Sequence, residues 1–293
     1  ALLLGKLQFP EYKGRKILVC APSNAAVDVL ALRLKRGIVM AVTNGKDSSA
    51  LELKKQRPSM LRIGPGCTNA ELSSVDVNKK VEGELVRRGI TEYRERLKWR
   101  AKFEMQFLQD AEVWCSTLSN IRQEKYEGIS PRFLAVIIDE ACQALELDCY
   151  LPLLPFREDC APLCLLVGDT KQLSPFEDIH EGRAVTEKGL MGRIVDYMQH
   201  TSSNSVRLQE QYRMHYAIAA FPAQEFYSGH LRNASRVYNA QIFERPYHLD
   251  LAGRFGAVTF IDTRSISGNG EDYPHGESEC NFCERSEERR VGK

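Results

Sequence analysis

The sequence predicts an α/β fold, a parallel sheet flanked by helices, and three observations carry that expectation. Four short runs, residues 16–20 (KILVC), 113–116, 133–138 and 163–167, are apolar without alternation, the pattern of strands buried on both faces. Each run finishes in small or polar residues, as strands of open α/β sheets do where they bind ligands at their carboxyl ends. Helical spacing of Val27, Leu30, Ala31 and Leu34 follows the first run directly.

Taken in order, the opening Ala1-Leu2-Leu3-Leu4 lacks a basic flank and a small-residue cleavage site, so no signal peptide is expected. Residues 16–20 form a central strand, and the helix after it takes Ser23 or Asn24 as its N-cap. Residues 74–110 are charged and helical, with Tyr93, Leu97, Ala101 and Leu108 as the apolar stripe and Arg94, Arg96, Lys98, Arg100 and Lys102 crowded together. This insert reads as a solvated helix face or as a prong lying along a polyanion. The strand at 113–116 leads into Cys115-Ser116-Thr117, that at 133–138 into Asp139-Glu140, and that at 163–167 into Gly168-Asp169. The polar stretch 201–205 (TSSNS) marks a boundary between a first domain, 1–200, and a second, 206–284. Residues 285–293 have Val291 as their only apolar side chain and read as an unstructured or non-native tail.

Composition bounds the function. Of 293 residues, 43% are hydrophobic and 27% charged, which excludes a mostly disordered chain. Forty basic against 39 acidic residues give a net charge of +1, so a polyanion site has to be a local patch. No apolar run is long enough to span a bilayer. Five of nine cysteines (Cys20, Cys115, Cys142, Cys149, Cys164) sit in or beside apolar runs, pointing to buried thiols in a reducing, intracellular compartment. Cys280-x-x-Cys283 and Cys160-x-x-x-Cys164 lack histidines at ligand spacing, so zinc is not expected.

The strand ends carry the chemistry. Asp139-Glu140 puts two adjacent carboxylates after a buried strand; in nucleoside triphosphatases the first holds Mg²⁺, usually through water, and the second polarises the attacking water. A favourable helix N-terminus is the plain alternative. Gly168 permits a tight strand exit, Asp169 is a fixed charge, and the Gln172 amide can reach a phosphate or the attacking water; a turn closed by Pro175 is the alternative. Arg213, in Gln211-Tyr212-Arg213-Met214-His215, could neutralise a transferring γ-phosphate or simply pair with a carboxylate. Pro22-Ser23-Asn24 offers short polar side chains and backbone N–H groups near a helix start, suited to the phosphate of a nucleotide or a nucleic-acid backbone. Phe221, Phe226 and Tyr227 follow at helical intervals and read as core rather than as a base-stacking platform.

Together these residues resemble superfamily 1 helicases. Residues 17–30 (ILVCAPSNAAVDVL), 136–143 (VIIDEACQ), 167–175 (VGDTKQLSP) and 211–229 (QYRMHYAIAAFPAQEFYSG) resemble, in order, four motifs of that family. The pattern is most similar to the branch containing senataxin and the nonsense-mediated-decay helicases. D-E-A-x-Q followed by G-D-x-x-Q-L separates it from superfamily 2. The resemblance implies two RecA-like domains, ATP and Mg²⁺ between them, and single-stranded nucleic acid across the top, RNA or an RNA–DNA hybrid being favoured. It implies that Asp139 coordinates Mg²⁺, Glu140 is the general base, Gln172 senses the γ-phosphate beside Asp169, Arg213 contacts it from the second domain, and Tyr212 stacks on adenine. Pro22, Ser23, Asn24, Ser116 and Thr117 would track the nucleic-acid backbone, and the 74–110 insert falls where the branch carries a helical subdomain near the exiting strand. A monomer is the matching expectation, with a nuclear location favoured by the resemblance and the cytoplasm as the alternative.

The chain also departs from the pattern. No G-x-x-x-x-G-K-[ST] phosphate loop is present; only Gly5-Lys6 stands near the start, followed by Leu7, and residues 1–7 read as the end of the helix that follows that loop in the family. The later second-domain motifs, with a second phosphate-binding Arg, are missing. Tyr216 stands where the family has Pro, and Ser278-Glu-Cys-Asn281 is followed by 285–293 instead of an apolar helix. Charge-assisted contacts to a triphosphate are each worth about 1.5–3 kcal/mol, so the chain alone is expected to bind ATP weakly and hydrolyse it negligibly. Two rivals stand beside the helicase reading: a non-hydrolysing nucleic-acid-binding module, and a P-loop enzyme without a nucleic-acid partner.

Overall fold

A computed structural model describes residues 14–43, 51–65, 67–121, 132–153, 163–175, 189–198, 205–238 and residue 258. The chain divides into two compact units, Ala1–Asn204 and Ser205–Lys293.

In the first unit β1 (Lys16–Ala21) runs into α1 (Asn24–Arg36), then the antiparallel pair β2 (Ile38–Thr43) and β3 (Leu51–Gln56). There follow β4 (Met60–Ile63), α2 (Val77–Arg87), α3 (Tyr93–Asp110), β5 (Val113–Thr117), β6 (Phe133–Ile138), α4 (Glu146–Tyr150), β7 (Leu163–Leu166) and α5 (Gly189–Met198). Five strands make one sheet in the order β4-β5-β1-β6-β7, and every neighbouring pair is parallel. Parallel register sends all five carboxyl ends to one edge, where a ligand can be held.

Alternation along β1 assigns its two faces. Leu18 and Cys20 pack with Val77, Val81 and Leu85 of α2 and Phe103 of α3. Ile17, Val19 and Ala21 pack with Val27 and Ala31 of α1. Burying each large side chain contributes about 1.5–3 kcal/mol. Trp114 fills the centre of the first layer, edge-on to Phe133 at 5.5 Å, with its indole N–H donating to the Leu108 carbonyl at 3.1 Å. Among the described residues no helix is long and apolar enough to cross a membrane.

Three expectations are corrected. The stripe of α3 lies elsewhere: Tyr93 and Leu97 are exposed, as is Ala101, whereas Phe103 and Leu108 are buried. The packed face is led by Trp99 and Phe103, stacked one turn apart at 5.5 Å, because two large rings bury more area than Leu97 and Ala101 could. Cys164 is exposed, as are Leu163 and Leu165 of the same run, since among the described residues β7 is the edge strand of the sheet. Phe221 and Phe226 of the second unit are exposed and meet edge-on at 6.4 Å; they cover each other rather than a core.

The insert's basic residues divide by role. Arg96 pairs with Glu82, and Arg100 donates to Asn78 at 2.9 Å. Lys102 stands 4.6 Å from the Trp99 ring centroid, and Arg88 stands 4.6 Å from that of Phe103. Arg94 and Lys98 remain exposed on the outer face.

The second unit contributes β8 (Glu210–Gln211), α6 (Tyr216–Glu225) and β9 (Arg232–Asn233), with β8 and β9 parallel. The expectations for residues 1–7, Ser278, Asn281, Cys160, Cys280, Cys283 and the 285–293 tail lie outside the described residues.

Candidate functional site

The two acidic residues are held by extension of the sheet ladder past β6. Asp139 N–H donates to the Cys20 carbonyl at 2.8 Å, Val167 N–H to Ile138 at 2.8 Å, and Ala141 N–H to Val167 at 2.9 Å. Asp139 and Glu140 therefore stand between the ends of β1 and β7. Glu140 adopts a left-handed backbone with φ 53°, a conformation that costs a non-glycine residue about 1–2 kcal/mol. The reversal turns its side chain away from that of Asp139. Gln143 then fixes the Glu140 carboxylate, its Nε2 donating to Oε2 at 2.9 Å while its backbone N–H donates to the Glu140 carbonyl at 2.9 Å. Gln143 closes the D-E-A-x-Q pattern, but the sequence assigned its side chain no role; its separation of three from Glu140 was the available signal.

Asp139 is half-buried, and no described residue hydrogen-bonds or ion-pairs with its carboxylate. A lone, partly desolvated carboxylate fits a hard divalent cation that keeps most of its shell as water and phosphate oxygen, the habit of Mg²⁺. Among the described residues no group of three or more His, Cys, Asp or Glu gathers at one place.

One strand over, Gly168 is closely packed. A Cβ there would lie 3.1 Å from the Cys142 backbone nitrogen and 3.0 Å from Met191 Sδ. Asp169 orders the loop: its Oδ1 accepts from Lys171 N–H and its Oδ2 from Gln172 Nε2, each at 2.9 Å. Gln172 is exposed and keeps a second N–H and its carbonyl oxygen for a guest. Cys142 beneath them has its thiol pushed up by burial and then by the Asp169 charge.

The residues expected on a nucleic-acid backbone share that edge. Cys20 pairs with Ser116 and Ala21 with Thr117 across β1 and β5. Ser23 caps α1, its Oγ accepting from Ala26 N–H at 3.2 Å. Ser23 and Asn24 are exposed, and Pro22 is half-buried. Ser116 is fully buried, its Oγ accepting from Asn120 Nδ2 at 3.2 Å, and Thr117 is nearly so. Asn24 Oδ1 accepts from Nη2 of a buried arginine, Arg62, at 2.9 Å.

In the second unit Gln211 organises the loop that carries Tyr212 and Arg213. Its Oε1 accepts from Arg213 N–H at 2.9 Å and Met214 N–H at 2.8 Å. Its Nε2 donates to Met214 O at 2.8 Å and Asn233 Oδ1 at 2.7 Å. The amide is saturated. Tyr212 donates its hydroxyl to Glu210 at 2.5 Å and lies under the Arg236 guanidinium at 5.2 Å. The Glu210 hydrogen bond, foremost, raises the phenol above its usual range. Arg213 is exposed, and its guanidinium has no hydrogen bond or ion pair to any described residue.

Two AAA-domain family models match the chain, one over residues 4–86 and 68–177 and the other over residues 187–288. The chain is 30% identical over 220 residues to the regulator of nonsense transcripts 1 homolog of Neurospora crassa, covering 74% of this chain and 19% of that protein. It is 28% identical over 298 residues to helicase SEN1 of Saccharomyces cerevisiae, covering 80% of this chain and 13% of that one. To DNA-binding protein SMUBP-2 of Mesocricetus auratus it is 32% identical over 269 residues, covering 86% and 26%. The chain thus spans between 13% and 26% of the length of these relatives.

Proposed function

Since the chain belongs to the superfamily 1 helicases, in the branch of the nonsense-transcript regulators and Sen1, with a RecA-like α/β sheet, we propose that it is the core of an ATP-driven motor on single-stranded nucleic acid. The favoured track is RNA or an RNA–DNA hybrid. The observation that carries this reading is the sheet edge itself. It places a half-buried carboxylate with no described partner, Asp139, beside one already oriented by Gln143, Glu140, on the same rim as Ser23 and Asn24.

In this reading Glu140 takes the proton of the attacking water. General-base assistance of this kind is worth about 10²–10⁴ in rate. Asp139 would be the residue that holds Mg²⁺, which when bound would supply neutralisation of the charge developing on the transferring phosphoryl group. Gln172, held by Asp169, offers its remaining N–H to the γ-phosphate. Arg213 contributes a second positive charge and Tyr212 an aromatic face for adenine, both on a loop that the Gln211 amide holds in shape. Pro22, Ser23 and Asn24 follow the strand backbone, with Thr117 beside them and Ser116 behind. Residues 1–200 and 206–284 serve as two RecA-like domains whose closure on ATP moves the strand, with the 74–110 helices near the exiting strand.

The test is magnesium-dependent ATP turnover by the longest natural polypeptide that carries this sequence, with and without single-stranded RNA. Stimulation by RNA and its abolition in Glu140→Gln are expected; turnover indifferent to both would overturn the reading. The 293-residue chain alone is expected to turn ATP over negligibly, because it contains no G-x-x-x-x-G-K-[ST] sequence. The second reading, a non-hydrolysing strand-binding module, requires strand binding by the longer polypeptide with no turnover at all. Monomeric state and nuclear location rest on the resemblance and are checked by light scattering and by imaging of the tagged protein.

A further inference from the structure

Arg62 lies outside every motif of the sequence analysis, yet it is fully buried in β4. Its guanidinium donates four hydrogen bonds: Nε to Asp28 Oδ1 at 2.9 Å, Nη1 to the carbonyls of Gly64 at 2.7 Å and Pro65 at 2.8 Å, and Nη2 to Asn24 Oδ1 at 2.9 Å. Asp28, on α1 and itself largely buried, balances the charge. A buried pair of this kind is weak evidence for stability, because desolvation offsets most of the attraction. What the planar fork does supply is geometry, since several acceptors are fixed at once by one rigid group.

Those acceptors belong to different elements. Asp28 and Asn24 are on α1, and Gly64 and Pro65 form the exit of β4. The Gly64 carbonyl also accepts from Asn78 Nδ2 of α2 at 3.1 Å, and Asn78 Oδ1 accepts from Arg100 of α3 at 2.9 Å. Gly64 has φ 117°, a backbone that favours glycine, and a Cβ there would stand 3.2 Å from Asn120 Nδ2 and 3.4 Å from Arg62 Nη1, so those side chains would have to give way to a larger residue. Arg62 can only donate. It therefore dictates which end of the exposed Asn24 amide faces inward, and leaves the two Nδ2 protons for an oxygen acceptor on a ligand.

We propose that Arg62 is a positioning residue of the nucleic-acid edge: it never touches the strand, but orients the Asn24 amide so that its N–H₂ group meets a phosphate or ribose oxygen. This rests on the reading of Pro22, Ser23 and Asn24 as strand contacts.

The test measures anisotropy of a fluorescein-labelled single-stranded oligouridylate with the 293-residue chain across a salt series. Arg62→Lys keeps the charge beside Asp28 but cannot reach Asn24 and the carbonyls together. It is expected to weaken binding by about tenfold, the scale of one charge-assisted hydrogen bond, with the salt slope unchanged. Asn24→Ala should weaken binding comparably, and the double variant should be no weaker than either single one. Additive losses would overturn the proposal. So would a salt slope reduced by about 0.7, the mark of a direct phosphate contact. An unchanged affinity in Arg62→Lys, with Asn24→Ala weakened, sinks the role of Arg62 alone. Unchanged affinity in both Ser23→Ala and Asn24→Ala, or no binding by the wild-type chain, sinks the strand-contact reading and the proposal with it. Nuclear magnetic resonance of the wild-type chain gives a check that needs no variant to fold. On adding the oligouridylate, Asn24 Nδ2 signals should shift while Arg62 Nε–H stays protected from exchange; the reverse pattern refutes the proposal.

Discussion

At the residue scale, the glutamine of the acidic motif and the buried thiols give the sharpest expectations. Gln143 holds the Glu140 carboxylate at 2.9 Å, and a leucine in its place removes that hold without touching the strand edge. Gln143→Leu in the longer natural polypeptide is expected to lower ATP turnover by about tenfold, a fraction of the general-base contribution, with oligonucleotide affinity unmoved. Burial pushes the Cys115 thiol up from 9.0 to about 12, and that of Cys149 to about 11; Cys20 is raised further, by burial first and then by Cys115 and Cys149. A thiol raised on folding contributes stability that is complete below the unfolded value and lost as pH rises toward the folded one. Urea unfolding midpoints should therefore fall between pH 8 and pH 11, and maleimide should label Cys20 and Cys115 only after unfolding.

At the scale of elements, α3 separates packing from exposure. Phe103→Ala should cost about 3–5 kcal/mol by opening a cavity under Trp99 and Leu85, whereas Leu97→Ala should stay within about 0.5 kcal/mol; denaturant titrations measure both. The same helix marks where the sequence could be read and where it could not. Strands β1, β5 and β6 were legible because their unbroken apolar runs are buried on both faces; β7 carries the same kind of run but leaves Leu163, Cys164 and Leu165 exposed. Strand β4 was not, since Arg62 interrupts its four residues and becomes buried only through acceptors supplied by Asn24, Asp28, Gly64 and Pro65. The register of α3 was misjudged because several positions offer a helical repeat. Tertiary area, which no local pattern encodes, chose Trp99 and Phe103. The acidic pair and Arg213 were evident as residue types, but the supporting roles of Gln143 and Gln211 depend on backbone reversals that the residue types alone do not announce.

For the molecule as a whole, charge sets how it meets a polyanion. The net charge is +1, so long-range steering is weak, and the proposed contacts Pro22, Ser23, Asn24 and Thr117, with buried Ser116 behind them, are all uncharged. Few counterions are displaced by such a surface. The logarithm of the association constant for single strands should fall with the logarithm of salt at a slope shallower than about −3; a much steeper slope would mean that Arg94, Lys98 and their neighbours on α3 carry the binding. The central place of β1 has a further, kinetic consequence. Ile17 pairs with Val113 and Lys16 with Phe133, so the rim that gathers Cys20, Asp139 and Thr117 closes only after segments about a hundred residues apart have met. Such pairings carry a large chain-closure entropy and assemble late. During synthesis the helix behind Ser23 can form early, but Thr117, Asp139 and Asp169 reach the rim only as the ribosome passes β5, β6 and β7 in turn, so the nascent chain completes this surface late.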